Sequence, residues 1–237
     1  MLAVDGLSKV YRTPTGEHRL FEGLSFTLPR DGRLAVLGRN GQGKSTLIKI
    51  LGGVTPPTSG RVTWSMRPSW PLGFAGGFQG SLTGLDNIRF ISRIYDEPVD
   101  IVAERTEAFA QLGADLAKPV KHYSSGMRAR LAFGLSLAIE FDCYLIDEVV
   151  AVGDSSFREA SQRELFDRRR DRAFIIASHD TELIRSTCRQ ALIVEGGRVK
   201  LFDDIETAIE IYSALGLRGD PGAEPLAPLD SGRGGPW

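Results

Sequence analysis

Apolar positions along this chain change their period repeatedly, and each change marks an element. From residue 2 to residue 37 they alternate with polar ones (Leu2, Val4; Leu24, Phe26, Leu28) around the polar stretch Thr13, Pro14, Thr15, Gly16. A period of two broken by a turn predicts antiparallel strands in a small β layer. Leu34 to Leu37 is an unbroken apolar run; beyond it Leu47, Ile48, Ile50 and Leu51 space themselves as a helix face that ends at Gly52 and Gly53. Pro56 to Gly60 turns the chain back into strand at Arg61–Trp64. Residues 66–98 begin irregularly, with Pro68, Pro71, Gly73, Gly76, Gly77 and Gly80, before Asp86 and Asn87 cap a helix running through Tyr95. A second amphipathic helix is expected over 101–112, and an apolar one from Arg128 through Ile139. Phe141–Ile146 and Ala173–Ala177 are short apolar runs of the kind buried in parallel sheets. Gln190–Val194 and Arg198–Phe202 flank Glu195, Gly196 and Gly197 as a hairpin, and Ile205, Ala208, Ile209 and Tyr212 stripe a last helix. Strands alternating with helices define a parallel α/β core.

The turn between the run 34–37 and its helix carries the first chemistry. Gly38, Arg39, Asn40, Gly41, Gln42, Gly43, Lys44 and Ser45 follow the spacing G-x-x-x-x-G-K-[ST], a phosphate-binding loop. Its glycines let backbone N–H groups converge on phosphate oxygens, Lys44 supplies a point charge, and the helix start at Ser45 and Thr46 adds its dipole. The Ser45 hydroxyl is placed to hold Mg²⁺ between two phosphates. A dinucleotide turn would need a third glycine where Thr46 stands and has no use for Lys44. Ser124, Ser125 and Gly126 open a helix and form a second anion site. Asp147 and Glu148 end a buried strand, where carboxylates suit a Mg²⁺ partner and a water-activating base. Ser178, His179 and Asp180 end another strand at the same sheet edge.

Composition narrows the classes. At 237 residues, 42% of them hydrophobic, the chain can bury a sizeable core. A net charge of -1 gives no global positive field for nucleic acid or anionic lipid. Arg168–Arg172 is expected to be a solvated helix face. No apolar run approaches the roughly 18 residues of a membrane span, and Met1–Asp5 lacks the plan of a signal peptide, so a cytoplasmic location is expected. Cys143 and Cys188 match neither a disulfide scaffold nor a metal cluster and read as packing residues. Four prolines and five glycines between Gly219 and Trp237 predict a disordered tail over 218–237.

The order of these pieces over about residues 1–215 resembles the ATP-binding cassette subunit of ABC transporters. The resemblance implies a P-loop NTPase cassette: a mostly parallel RecA-like core, an antiparallel β layer, and an inserted helical subdomain at about 80–138 within a domain spanning 1–217. It implies ATP and Mg²⁺ as cofactors. Gly38–Ser45 is similar to Walker A, and Tyr123, Ser124, Ser125, Gly126, Met127 to the signature motif. Walker B then ends at Asp147, with the catalytic glutamate at Glu148, the switch histidine at His179 and the D-loop aspartate at Asp154. Tyr11 matches the aromatic that stacks on adenine, and Gln79 is the Q-loop candidate for a Mg²⁺ ligand. Residues 76–79, the Ser-Ser-Gly-Met signature and residues 147–154 look most like cassettes that export capsular polysaccharide, O-antigen or teichoic acid. The capsule branch fits best, since the carbohydrate-binding extension of many O-antigen members is missing. Such a subunit is an ATPase that works as a homodimer with two ATP molecules between copies. It sits peripherally on the cytoplasmic face of the inner membrane and drives a separate permease. An exporter of drugs or other lipid-linked substrates is the alternative, and a soluble ABC ATPase on ribosomes or DNA the rival from another class.

Overall fold

The computed structural model describes residues 1–14, 16–72, 78–147 and 155–218. Two sheets share one body. β1 (Leu2–Thr13), β2 (Gly16–Leu28) and β4 (Ser59–Trp64) form an antiparallel layer in the order β2-β1-β4. The larger sheet runs β5-β6-β7-β3-β8-β9, from β5 (Pro68–Leu72), β6 (Cys143–Asp147), β7 (Ala173–Ala177), β3 (Arg33–Leu37), β8 (Gln190–Glu195) and β9 (Arg198–Phe202). All its neighbours are parallel except the β8–β9 hairpin. Residues 33–37 therefore leave the antiparallel layer assumed for 1–37 and lie inside the parallel sheet.

The apolar runs explain the burial. Alternate side chains of a strand face opposite sides, so Ala35, Leu37, Tyr144, Ile146, Phe174 and Ile176 join one core. Leu34, Val36, Cys143, Leu145, Ile175 and Ala177 join the other. The first core packs under α2 (Gly84–Ile94), α3 (Val99–Ala110), α4 (Ser125–Ala138) and α7 (Ile205–Arg218). The second lies between the sheet, the antiparallel layer and α1 (Lys44–Leu51). α5 (Ser155–Gln162) runs into a π-helical turn at Arg163–Asp167, and α6 (Thr181–Thr187) follows β7. Cys143 and Cys188 are free thiols inside these cores, and burial pushes the Cys188 thiol up to about 12.

Several expectations change. Residues 68–72, read as irregular because of Pro68 and Pro71, are a strand on the sheet edge. Prolines are tolerated on an edge, and at the register shift between Pro68 and Pro71 Ser69 Oγ accepts a hydrogen bond from Leu145 N at 2.9 Å. The cap of α2 is Thr83, not Asp86 or Asn87. Thr83 Oγ1 accepts from Asp86 N at 3.0 Å and donates to Asp86 Oδ2 at 2.6 Å, which lowers the Asp86 pKa. α3 begins two residues earlier than expected, because Pro98 can precede a helix start. Arg169 is not solvated but 7% exposed. Of the expected tail over 218–237, Arg218 is the last residue of α7, and 219–237, like the glycines 73, 76 and 77, lie outside the described residues.

Candidate functional site

The C-terminal ends of β3, β6 and β7 put their following loops at one edge of the sheet, where open α/β sheets bind ligands. After β3, Gly38 takes φ 152, and a Cβ there would stand 2.3 Å from Val194 O on β8. Gly43 has φ 104 and faces Leu20 at 3.1 Å. Side chains at either position would strain the backbone and lift the loop off its supports. Lys44 is 6% exposed, and its Nζ donates to Gly38 O at 2.7 Å and Arg39 O at 3.2 Å. The ammonium is thus centred under the loop.

The hairpin after β8 grips the loop from outside. Arg39 pairs with Glu195 at 3.3 Å, and Gly196 N donates to Gln42 Oε1 at 2.9 Å. The side chains of Arg39 and Gln42 are engaged there, and the Gln42 N–H donates to Arg39 O at 3.4 Å. Sequence reasoning missed this clamp, since nothing near residue 42 points to residue 196.

A cleft of about 320 Å³ runs from Lys44, Ser45 and Thr46 past Asn40, Gly41 and Gly43 to Tyr11, His18 and Leu20, within the range of about 300–1,000 Å³ usual for small ligands. Tyr11 pairs with His18 across the β1–β2 hairpin and is 42% exposed, with Lys9 Nζ 4.8 Å from its ring centroid. His18 and Leu20 were not anticipated, although the pairing of Thr13 with Gly16 carries Tyr11 opposite His18. A larger hollow, about 590 Å³, is lined by Arg105, Phe109, Glu140 and Arg169 and by none of the loop residues. Its charges already hold one another or backbone carbonyls, so the smaller cleft is the candidate site. If Tyr11 stacks on a base, Tyr11→Phe should bind ATP as wild type does and Tyr11→Ala should lose about 1–3 kcal/mol. Titration calorimetry giving equal affinity for Tyr11→Ala and wild type would reduce Tyr11 to a strand residue.

At the tip of β6, Asp147 Oδ1 accepts a hydrogen bond from Ser45 Oγ at 2.8 Å. A carboxylate and a hydroxyl side by side fit Mg²⁺, which takes few protein oxygens and completes its shell with water and phosphate. Past the tip of β7, His179 Nε2 lies 2.9 Å from Asn40 Oδ1, and its Nδ1 lies 2.7 Å from the Tyr212 hydroxyl. The structure so joins Walker A, Asp147 and His179. Glu148 and Asp154 lie outside the described residues. Ser124 caps α4, accepting from Met127 N at 3.2 Å, and Ser124, Ser125 and Gly126 are all exposed. Gln79 is exposed too; what is fixed is its backbone, whose N–H donates to Asn87 Oδ1 at 3.0 Å.

This phosphate loop on a parallel sheet, with an acid and a histidine at neighbouring strand ends, defines a P-loop ATPase. The family model described as ABC transporter matches residues 21–151, and the chain belongs to that family. It is an ATP-binding, ATP-hydrolysing cassette. It is 50% identical over 215 residues to the capsule polysaccharide export ATP-binding protein CtrD of Neisseria meningitidis serogroup B, covering 91% of this chain and 100% of CtrD. It is 50% identical over 213 residues to the ATP-binding protein BexA of Haemophilus influenzae, covering 90% and 98%. In fold it is similar to a solved dimer of the ATP-binding cassette MJ0796 bound to ADP and Pi, with TM-score 0.72 and 18% identity over 86% of this chain and 98% of that one.

Proposed function

We propose that this chain is the ATPase subunit of an exporter of capsule-type surface polysaccharide, working as a homodimer beneath a separate permease at the cytoplasmic face of the inner membrane. The carrying observation is the 50% identity to CtrD over nearly the whole chain. In this reading residues 1–217 form one cassette, with 80–138 as its helical subdomain. Among the described residues no helix is long and apolar enough to cross a membrane, so the transport path belongs to the permease.

Tyr11 takes the adenine, and the loop from Gly38 to Thr46 takes the phosphates on its backbone N–H groups, with Lys44 as counter-charge. Ser45 and Asp147 would hold Mg²⁺, which neutralises phosphate charge, with Gln79 as a further candidate ligand. Glu148 orients and deprotonates the attacking water, and the Nε2–H of His179 is aimed at the terminal phosphate. Ser124, Ser125 and Gly126 are exposed at a helix N-terminus, where a second copy, head to tail, can use them to close over the nucleotide, with Asp154 at that contact. Nucleotide shared between copies stabilises the closed dimer, and its hydrolysis lets the dimer open. Phe90 and Ile94, one turn apart on α2, are 53% and 57% exposed, an apolar surface that a permease helix can cover.

Deleting the gene should leave surface polysaccharide trapped inside the cell, and Phe90→Asp should abolish export while ATP binding by the subunit is retained. Normal surface polysaccharide with loss of small-drug efflux would support the alternative exporter instead. Cross-linking to ribosomes rather than to a membrane protein would overturn the transporter reading.

A further inference from the structure

We infer that Tyr212, on the last helix, is a positioning residue for His179: its hydroxyl fixes the tautomer and ring direction that aim Nε2–H at the terminal phosphate. The inference rests on the role proposed above for His179. It begins from which atoms can donate. A primary-amide oxygen only accepts hydrogen bonds, so the 2.9 Å contact to Asn40 Oδ1 puts the imidazole proton on Nε2. In that tautomer Nδ1 is an acceptor, and the group 2.7 Å from it is the Tyr212 hydroxyl, whose hydrogen can turn toward it. The two rings lie nearly parallel, 25° apart with centroids 6.5 Å from each other, so the phenol approaches the edge nitrogen of a ring whose tilt it also restrains.

The surroundings hold Tyr212 in register with the site. Ala208 and Ile209 are buried, and Tyr212 follows them at helical spacing, so the face that seats α7 on the core also carries the phenol inward. Arg185 of α6 donates from Nε to Glu206 of α7 at 2.9 Å and 3.0 Å. α6 itself is capped by Asp180, whose Oδ1 accepts from Leu183 N at 3.0 Å. The segment that presents His179 and the helix that presents Tyr212 are thereby tied to each other as well as to the sheet. Asn40 lies in the phosphate loop and lines the nucleotide cleft. The proton on Nε2 therefore already points to the loop that receives the phosphates, and a phosphate oxygen can replace Asn40 Oδ1 as its acceptor without a change of tautomer.

Tyr212→Phe keeps the ring and removes only the hydroxyl. ATP hydrolysis by the full-length chain should fall about tenfold in kcat with less than a twofold change in KM for ATP. ¹⁵N NMR of the histidine side chains should show His179 as a single Nε2–H tautomer in wild type and as a mixture in the variant. Tyr212→Leu should lose as much kcat as Tyr212→Phe, because the hydroxyl rather than the ring is responsible, and Tyr212→Phe should have no further effect in a His179→Ala background. Wild-type kcat for Tyr212→Phe alongside a strongly impaired His179→Ala would overturn the inference and leave the role of His179 standing. Wild-type hydrolysis by His179→Ala would instead remove that role, whatever the tautomer spectra show.

Discussion

Glu148→Gln should bind ATP as wild type does and hydrolyse it about 10²–10⁴-fold more slowly, a loss of roughly 3–5.5 kcal/mol of transition-state stabilisation. The argument is positional. Asp147 ends β6 and already shares a hydrogen bond with Ser45, in the first turn of α1, so the first acid of the pair is committed to the Mg²⁺ side of the site. Glu148 is the next carboxylate along, and a glutamine there keeps the shape and hydrogen-bonding length while being unable to take a proton from water. Binding depends on other groups: the backbone of residues 38–46, Lys44 and Tyr11. The variant should consequently accumulate as an ATP-bound dimer, seen by size-exclusion chromatography with ATP and absent with ADP. Turnover close to wild type, measured with the permease present, would take Glu148 out of the role of base.

What the chain makes legible is local. The phosphate loop, its strand and its helix are contiguous, and their spacing encodes both conformation and chemistry, so Gly38 to Thr46 could be placed from the chain alone. The strand ends at Asp147 and His179 were visible for the same reason, as polar residues closing apolar runs. β5 was not, because two prolines within five residues contradict a strand unless its neighbour and its edge position are known. The Arg39–Glu195 and Gln42–Gly196 contacts join segments more than 150 residues apart, and no periodicity carries that. Tyr212 read only as one apolar stripe residue; its hydroxyl matters because the fold brings α7 against the tip of β7. The run of arginines at 168–172 misled most directly. A cluster of charges has the composition of a solvated face, and only the packing separates the one that is buried from those around it.

Arg169→Leu should therefore destabilise the chain by about 3–5 kcal/mol, the usual cost of breaking a buried charged network by removing one partner. Arg169 Nε donates to the Tyr144 hydroxyl at 2.8 Å, Nη2 to Leu137 O at 2.8 Å, and Nη1 to Glu164 through its carbonyl at 2.7 Å and its carboxylate at 2.8 Å. One planar group so ties β6, the end of α4 and the π-helical turn after α5. Burial opposes the charge on Arg169, but Tyr144, Glu164 and Glu140 outweigh it and hold its pKa above the ordinary value. Leucine would leave the Leu137 carbonyl and the Glu164 carboxylate, itself only 23% exposed, without this partner in a place water reaches poorly. For a chain of this size the loss corresponds to a fall in Tm of roughly 10 °C. Arg169→Lys should not restore it, because an ammonium cannot reproduce the fork of donors. Arg168 offers the internal comparison: its side chain is 77% exposed and meets the same Glu164 at 3.0 Å, one helical turn away. Such a pair contributes only about 0.3–0.5 kcal/mol, so Arg168→Ala should melt within a degree or two of wild type. Thermal unfolding of the two variants side by side decides the matter: equal, small shifts would mean that Arg169 is as dispensable as the exposed arginine beside it.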